Sequence, residues 1–148
     1  WVTPDDVDED TYIVTIRNIF DEEIMKSEVT GNSVRLDLSE GQLKNEEGLW
    51  IMEIATTGNS EISGKVALKR PDNPSQYDES LNTLKAEVDE SSPLNKVIYA
   101  SYYEENGLIV DALTAIEEAI QMNPDVEDFK ILKKDIIERN GIKVYEEE

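Results

Sequence analysis

The sequence predicts a segregated α+β fold, in which an antiparallel, β-sandwich-like half is followed by a C-terminal helical bundle. Between residues 11 and 70, apolar and polar residues alternate with a period of two in short segments that turn-forming residues separate. After Pro71 and Pro74 the apolar spacing changes to the three-to-four-residue period of amphipathic helices. Strands that all precede the helices favour an antiparallel sheet over alternating strand–helix units.

The β half is predicted to begin after an acidic connector at residues 1–10. The segment Thr11 to Asn18 places Tyr12, Val14 and Ile16 on one face of a half-buried strand. The same alternation predicts strands at residues 24–29, 34–38, 49–54 and 62–69, the last with Ile62, Val66 and Leu68 as core residues.

Several of these runs carry a resemblance to a known architecture. The alternating runs at 12–17, 33–38 and 48–54, with Asp21-Glu22-Glu23 in a turn, resemble the later strands of a fibronectin type III or immunoglobulin-like domain. The resemblance covers about residues 11–70, and the earlier strands of that family have no counterpart here. An incomplete sandwich of this kind implies that helices cover its open face.

A linker and a bridging helix are expected at residues 71–92. Helical spacing is visible from Ser75 to Val88, and we expect this helix to connect the two halves. Ser92 has the side chain of a helix N-cap, and Pro93 fits the first helical position, so the next helix is predicted to begin there.

The spacing that follows is the most specific in the chain. It resembles a single tetratricopeptide repeat at about residues 93–126, through Ala100, Tyr103, Gly107, Ala112, Ile116, Ala119 and Pro124. The small residues, Gly107 among them, are expected where two antiparallel helices approach closely. Lys96 departs from the family pattern, which prefers a large aromatic residue at this position.

One repeat needs neighbours, because such units bury their core only by stacking. A final helix with Phe129, Leu132 and Ile136 on its apolar face is predicted to cap the repeat, so that the helical region spans residues 93–141. Residues 142–148 are expected to be an acidic tail.

The tetratricopeptide resemblance also implies a binding face. In that family the inner face of the first helix of each hairpin holds peptides, which by position implicates Val97, Ser101, Glu104 and Glu105 as partner-binding residues. The alternative is an ordinary solvated or inter-domain face, since one repeat builds little groove.

The composition excludes several classes of function. A net charge of −20 repels nucleic acid and anionic lipid surfaces. The chain has no Cys and no His, which removes thiol nucleophiles, imidazole bases and most zinc or copper sites. No apolar run is long enough to insert in a membrane, and no cofactor is expected.

Location is inferred indirectly. Because the chain begins at Trp1, we expect a processed or trimmed product that lacks a signal or anchor segment. Strands followed by the pattern of residues 103–116 are similar to a family of cyanobacterial envelope proteins without an assigned activity. That resemblance implies a periplasmic or extracellular location.

These observations favour a non-catalytic module of a bacterial cell-envelope protein that holds an unidentified protein partner. A calcium-responsive module is one alternative, with carboxylate ligands from Asp5, Asp6, Asp8 and Asp10. Another is a carbohydrate-binding sandwich that uses an exposed Trp50, although Trp50 is expected in the core. An enzyme would need paired carboxylates in a deep pocket beside Trp50.

Overall fold

The computed structural model describes Trp1, residues 10–59 and residues 63–142. The chain divides into two compact units, Trp1–Gln76 and Tyr77–Glu148. In the part of the chain described, the first contains a four-stranded antiparallel sheet and the second contains four α-helices, which confirms the segregated α+β class. Most of the predicted connector and tail, at residues 2–9 and 143–148, lie outside the described residues.

The sheet has the order β2-β1-β3-β4. Its strands, all antiparallel to their neighbours, are β1 (Thr11–Asn18), β2 (Glu23–Thr30), β3 (Leu49–Thr56) and β4 (Ser63–Lys69). The predicted strands at 11–18, 24–29 and 49–54 are therefore confirmed, as is most of the one at 62–69.

One face of the sheet carries the core of this unit. Tyr12, Val14 and Ile16 of β1 are buried, as the alternation predicts, and Asn18 of β1 pairs with Trp50 of β3. Ile16 and Trp50 form a buried cluster with Leu43, which lies in a short 3-10 turn at Gly41–Leu43. The long connection between β2 and β3 thus contributes to the core.

The strand predicted at 34–38 is wrong. This segment has no strand structure, although Leu36 packs against the Trp50 cluster as an apolar residue of a strand would. The Asp37 carboxylate accepts hydrogen bonds from the backbone N–H and the hydroxyl of Ser39, which turns the chain locally. Apolar alternation therefore places Leu36 correctly, but the backbone forms a loop.

The core expected for β4 is partly wrong as well. Leu68 packs against the Trp50 cluster, whereas Val66 is 44% exposed at the edge of the sheet. Ile62, the remaining expected core residue, lies outside the described residues. An edge strand has a neighbour on one side only, which leaves its middle residues more accessible than alternation implies.

The helical unit consists of α-helices joined by short turns. They are α1 (Asp78–Glu87), α2 (Pro93–Glu105), α3 (Ile109–Met122) and α4 (Glu127–Arg139). Ser92 is the N-cap of α2, because its hydroxyl oxygen accepts a hydrogen bond from the Asn95 N–H at 3.1 Å. Pro93 is the first residue of that helix, so the predicted start is confirmed.

Small residues at the predicted spacing allow close packing within this unit. Ala100, Ala112 and Ala119 have no exposed surface. The buried cluster that includes Ala100 and Ala119 also contains Tyr99, Ile116, Phe129 and Ile136, with Leu132 packed against it. The apolar face predicted for α4 is thus confirmed, and three side chains from α1 and its C-cap, Leu81, Leu84 and Val88, also pack on this cluster.

Gly107 does not have the expected role. It is exposed, and a Cβ built on it would meet no atom within 4 Å, so it does not permit a close helix contact. Its φ of 72° lies in the left-handed region, and its N–H donates to the Glu104 carbonyl just after α2 ends. Gly107 is therefore a helix-terminating residue, for which glycine is the least strained choice.

Candidate functional site

The partner-binding residues implied by the sequence all lie on α2, but in different surroundings. Val97 is half-buried and packs against the helical core. Ser101 and Glu105, one helical turn apart, are exposed. Glu104 is half-buried between them. The structure therefore brings Ser101 and Glu105 to one accessible face and places Val97 and Glu104 beside it.

Glu104 is engaged within the unit. Arg139 donates to its two carboxylate oxygens from Nε at 3.2 Å and from Nη2 at 2.9 Å, and the Asn140 side-chain amide donates at 2.9 Å. Arg139 is the last residue of α4 and Asn140 is its C-cap. This bidentate pair joins the C-terminal ends of α2 and α4, so Glu104 orients the helix that carries the accessible face.

Two apolar residues extend that face and were missed by sequence reasoning. Leu94 is 69% exposed and Ile98 is 44% exposed. Together with Ser101 and Glu105 they have the spacing of one helical stripe, which we call the α2 stripe. In the sequence they are visible as apolar residues four positions apart, whereas the tetratricopeptide resemblance implicates the neighbouring rows of the helix.

Most of the basic side chains of the helical unit are paired with carboxylates. The ion pairs between described residues of this unit join Lys96 with Glu90 and Glu118, Lys130 with Glu127, Lys133 with Glu117, Lys134 with Glu138, and Arg139 with Glu104 and Asp135. Glu105 of the α2 stripe forms no ion pair with a described residue. A partner on this face therefore meets apolar side chains beside uncompensated negative charge.

The sheet unit has a cleft of about 310 Å³ that does not have the arrangement required by the enzyme alternative, paired carboxylates beside Trp50. Its carboxylates, Asp21 and Glu53, are paired with Arg17 at 3.8 Å and with Lys65 at 3.3 Å. Trp50 is not part of the lining and is 2% exposed. The expected core position of Trp50 is therefore confirmed, and its ring is not exposed as the carbohydrate-binding alternative requires.

The residues of the calcium alternative are only partly visible. Asp5, Asp6 and Asp8 lie outside the described residues, and Asp10 is exposed and accepts a hydrogen bond from the Thr11 hydroxyl at 3.2 Å. Among residues 10–59 and 63–142, no group of three or more carboxylates is arranged to hold a metal ion.

Glu104→Gln is expected to lower the stability of the helical unit slightly at neutral pH and to have no effect in acid. The Arg139 guanidinium, aided by the Asn140 amide, lowers the pKa of Glu104, so its contribution is present above the pKa of the unfolded chain and is lost as the pH falls through the folded pKa. Urea unfolding of both proteins between pH 7 and pH 3, monitored by circular dichroism, measures the difference.

The matched control is Glu105→Gln, which removes a neighbouring exposed carboxylate that forms no ion pair with a described residue. Its unfolding midpoint is expected to follow the wild type at every pH. If the Glu104→Gln difference is unchanged at pH 3, the ion pair with Arg139 is not its source.

None of the described helices has the length and apolar character needed to cross a membrane. Comparisons of the chain with protein-family models, with curated proteins and with solved structures give no match.

Proposed function

We propose that the chain is a non-catalytic protein–protein interaction module of a bacterial cell-envelope protein, and that it holds its partner on the α2 stripe. The observation that carries this proposal is the exposure of Leu94 and Ile98 on a helix whose opposite side packs against the helical core. Exposed apolar side chains rimmed by polar ones are typical of interaction sites.

The helical hairpin is proposed to be a single tetratricopeptide-like repeat, with α4 as its capping helix. The burial of Ala100, Ala112 and Ala119 at the predicted spacing supports this. For the first unit, the sandwich-like architecture rests on an antiparallel sheet with one apolar face. The envelope location rests on the resemblance of residues 103–116 alone.

The surroundings of the α2 stripe favour an amphipathic, basic partner segment. Apolar side chains of such a segment would cover Leu94 and Ile98, while a Lys or Arg side chain would approach Glu105. Exposed charge pairs are screened by salt, so binding is expected to weaken as ionic strength rises.

The test is a pull-down from bacterial envelope extract with the full chain as bait. We expect the wild type to retain a protein at low salt and the Leu94→Ser/Ile98→Ser variant to lose it. The matched control is Val110→Ser/Met122→Ser, which removes two exposed apolar side chains from α3 and is expected to retain the protein. Equal retention by the two variants would contradict the assignment to the α2 stripe, and no retained protein would contradict the proposal itself.

A further inference from the structure

Among the described residues, the outer side of β4 is an open sheet edge. β4 is the terminal strand of the sheet and pairs with β3 alone among the described residues. Every residue of β4 except Leu68 is exposed. An edge strand presents a row of N–H and C=O groups that another extended chain can pair with. This edge lies in the sheet unit and is separate from the α2 stripe, so it concerns a second interaction.

The side chains of β4 divide into two chemically different rows. Lys65 and Lys69 lie on the polar face of the sheet, on either side of Ala67. Val66 and Leu68 lie on the apolar face, where they pair with Met52 and Trp50 of β3. Val66 is 44% exposed, so apolar surface remains uncovered at the edge.

One row across the polar face contains charged residues on three of the four strands and ends at β4. Lys26 of β2 pairs with Thr15 of β1, which pairs with Glu53 of β3, which in turn pairs with Lys65 of β4. The Lys65 ammonium lies 3.3 Å from the Glu53 carboxylate, yet its side chain is 62% exposed. Lys69 forms an ion pair with Asp72 at 3.1 Å and is 57% exposed. Both lysines therefore retain accessible sides.

Lysines on an edge strand normally oppose pairing with another chain, since they must be desolvated or displaced. An acidic side chain opposite each lysine removes this obstacle, because opposite charges on neighbouring strands stabilise the pair. The edge is thus selective for acidic residues. Glu53 and Asp72 already neutralise these lysines in part, so an acidic residue of the added strand would share each lysine with its carboxylate partner in the chain.

A second copy of the chain fits this edge poorly. Full-length antiparallel pairing of two β4 strands is centred on Val66, which places each Lys65 diagonally between Lys65 and Lys69 of the other copy. Diagonal neighbours are within reach of long side chains, and the like charges repel. The lysines therefore act against self-association through β4.

We propose that the outer edge of β4 binds an extended peptide strand with acidic residues opposite Lys65 and Lys69 and apolar residues opposite Val66 and Leu68. The pattern is acidic–apolar–any–apolar–acidic. The added strand is antiparallel to β4, as every neighbouring pair of strands in this sheet is. Main-chain hydrogen bonds supply the binding, and the alternating side chains supply the selectivity.

The first test measures binding of a short, blocked, fluorescent peptide with Glu-Val-Thr-Val-Glu at its centre to the full chain by anisotropy. A control peptide has Lys in place of both Glu residues. We expect the acidic peptide to bind about tenfold or more tightly than the basic one, since two cross-strand charge pairs change sign. The Lys65→Glu/Lys69→Glu variant is expected to reverse this preference. A preference unchanged in the variant would overturn the proposal.

The second test asks whether the contact is strand pairing. N-methylation of the peptide at alternate residues removes the N–H groups on one of its sides. One of the two alternating sets is expected to abolish binding and the other to preserve it, because only one side of an added strand faces β4. Equal effects of both sets would overturn the proposal. Concentration-dependent dimers in sedimentation experiments that disappear in Lys65→Glu/Lys69→Glu would also overturn it, since a second copy would then occupy the edge.

Discussion

Lys96→Ala is expected to destabilise the helical unit by about 3 kcal/mol, because it leaves two carboxylates without their cation in a confined space. Lys96 is 7% exposed, and its ammonium lies 2.5 Å from the Glu90 carboxylate and 2.6 Å from the Glu118 carboxylate. Glu90 precedes α2 and Glu118 belongs to α3, so one side chain joins two parts of the unit. The expected value lies at the lower end for buried pairs, because Glu90 is half exposed.

The expected loss has two components that further variants separate. Lys96→Met retains most of the side-chain volume and leaves the carboxylates unpaired, so it is expected to be destabilised less than Lys96→Ala. Combining Lys96→Met with Glu90→Gln and Glu118→Gln is expected to restore much of the stability, since a buried ion pair and a well-packed apolar group of similar volume are often equivalent. Urea unfolding followed at 222 nm measures all three. A Lys96→Ala midpoint equal to that of the wild type would show that the carboxylates need no cation.

The ion pairs of Lys96 with Glu90 and Glu118 also predict how stability depends on alkaline pH. Burial by itself acts to lower the pKa of Lys96, but hydrogen bonds to Glu118 and Glu90 outweigh it and raise the pKa. A raised pKa in the folded state gives a contribution that is complete below the pKa of the unfolded chain and is lost as the pH rises through the folded pKa. The difference between the wild type and Lys96→Met is therefore expected to persist at neutral pH and to decrease only in strongly alkaline solution.

The ion-pair partners of Lys96 could not be predicted from the sequence. The tetratricopeptide resemblance implies a large aromatic residue at this position, and the sequence has Lys96 instead. Its partners could not be identified from spacing, because Glu118 lies on another helix and the chain contains 34 acidic residues. The long aliphatic stem of Lys96 occupies space in the packed unit, and only the folded arrangement determines which carboxylates neutralise its end.

The strands and helices were more predictable than the loops and the candidate site. β1 and the start of α2 follow from local patterns, alternation in one and an N-cap with proline in the other. The segment at 34–38 does not, since Asp37 forms a local turn and Leu36 reaches the core from a loop. The exposure of Leu94 and Ile98 also depends on which sides of α2 the other helices cover, and periodicity alone does not determine this.

Arg70→Ala is expected to destabilise the sheet unit by about 2 kcal/mol, because hydrogen bonds from a charged donor to several carbonyls are lost together. Arg70 follows β4, and its guanidinium donates to the carbonyls of Lys44 at 2.9 Å, Leu38 at 2.6 Å and Leu43 at 3.3 Å. It also lies 5.5 Å from the centre of the Trp50 ring, within the range of a cation–π contact. One side chain thus fastens the β2–β3 connection over the core.

The three carbonyls of the β2–β3 connection require the planar, multi-donor shape of the guanidinium. Arg70→Lys is therefore the control that separates the effect of this shape from the effect of the charge. An ammonium group preserves the charge but cannot place donors on three carbonyls in the fixed geometry of an arginine. We expect the lysine variant to recover less than half of the stability lost in Arg70→Ala.

Both Trp residues of the chain, Trp1 and Trp50, lie in the sheet unit, so tryptophan fluorescence during urea unfolding reports on that unit. In a Trp1→Phe background the signal comes from Trp50 alone. Full recovery by lysine would mean that charge near Trp50, and not the hydrogen bonds to the loop, holds the connection in place.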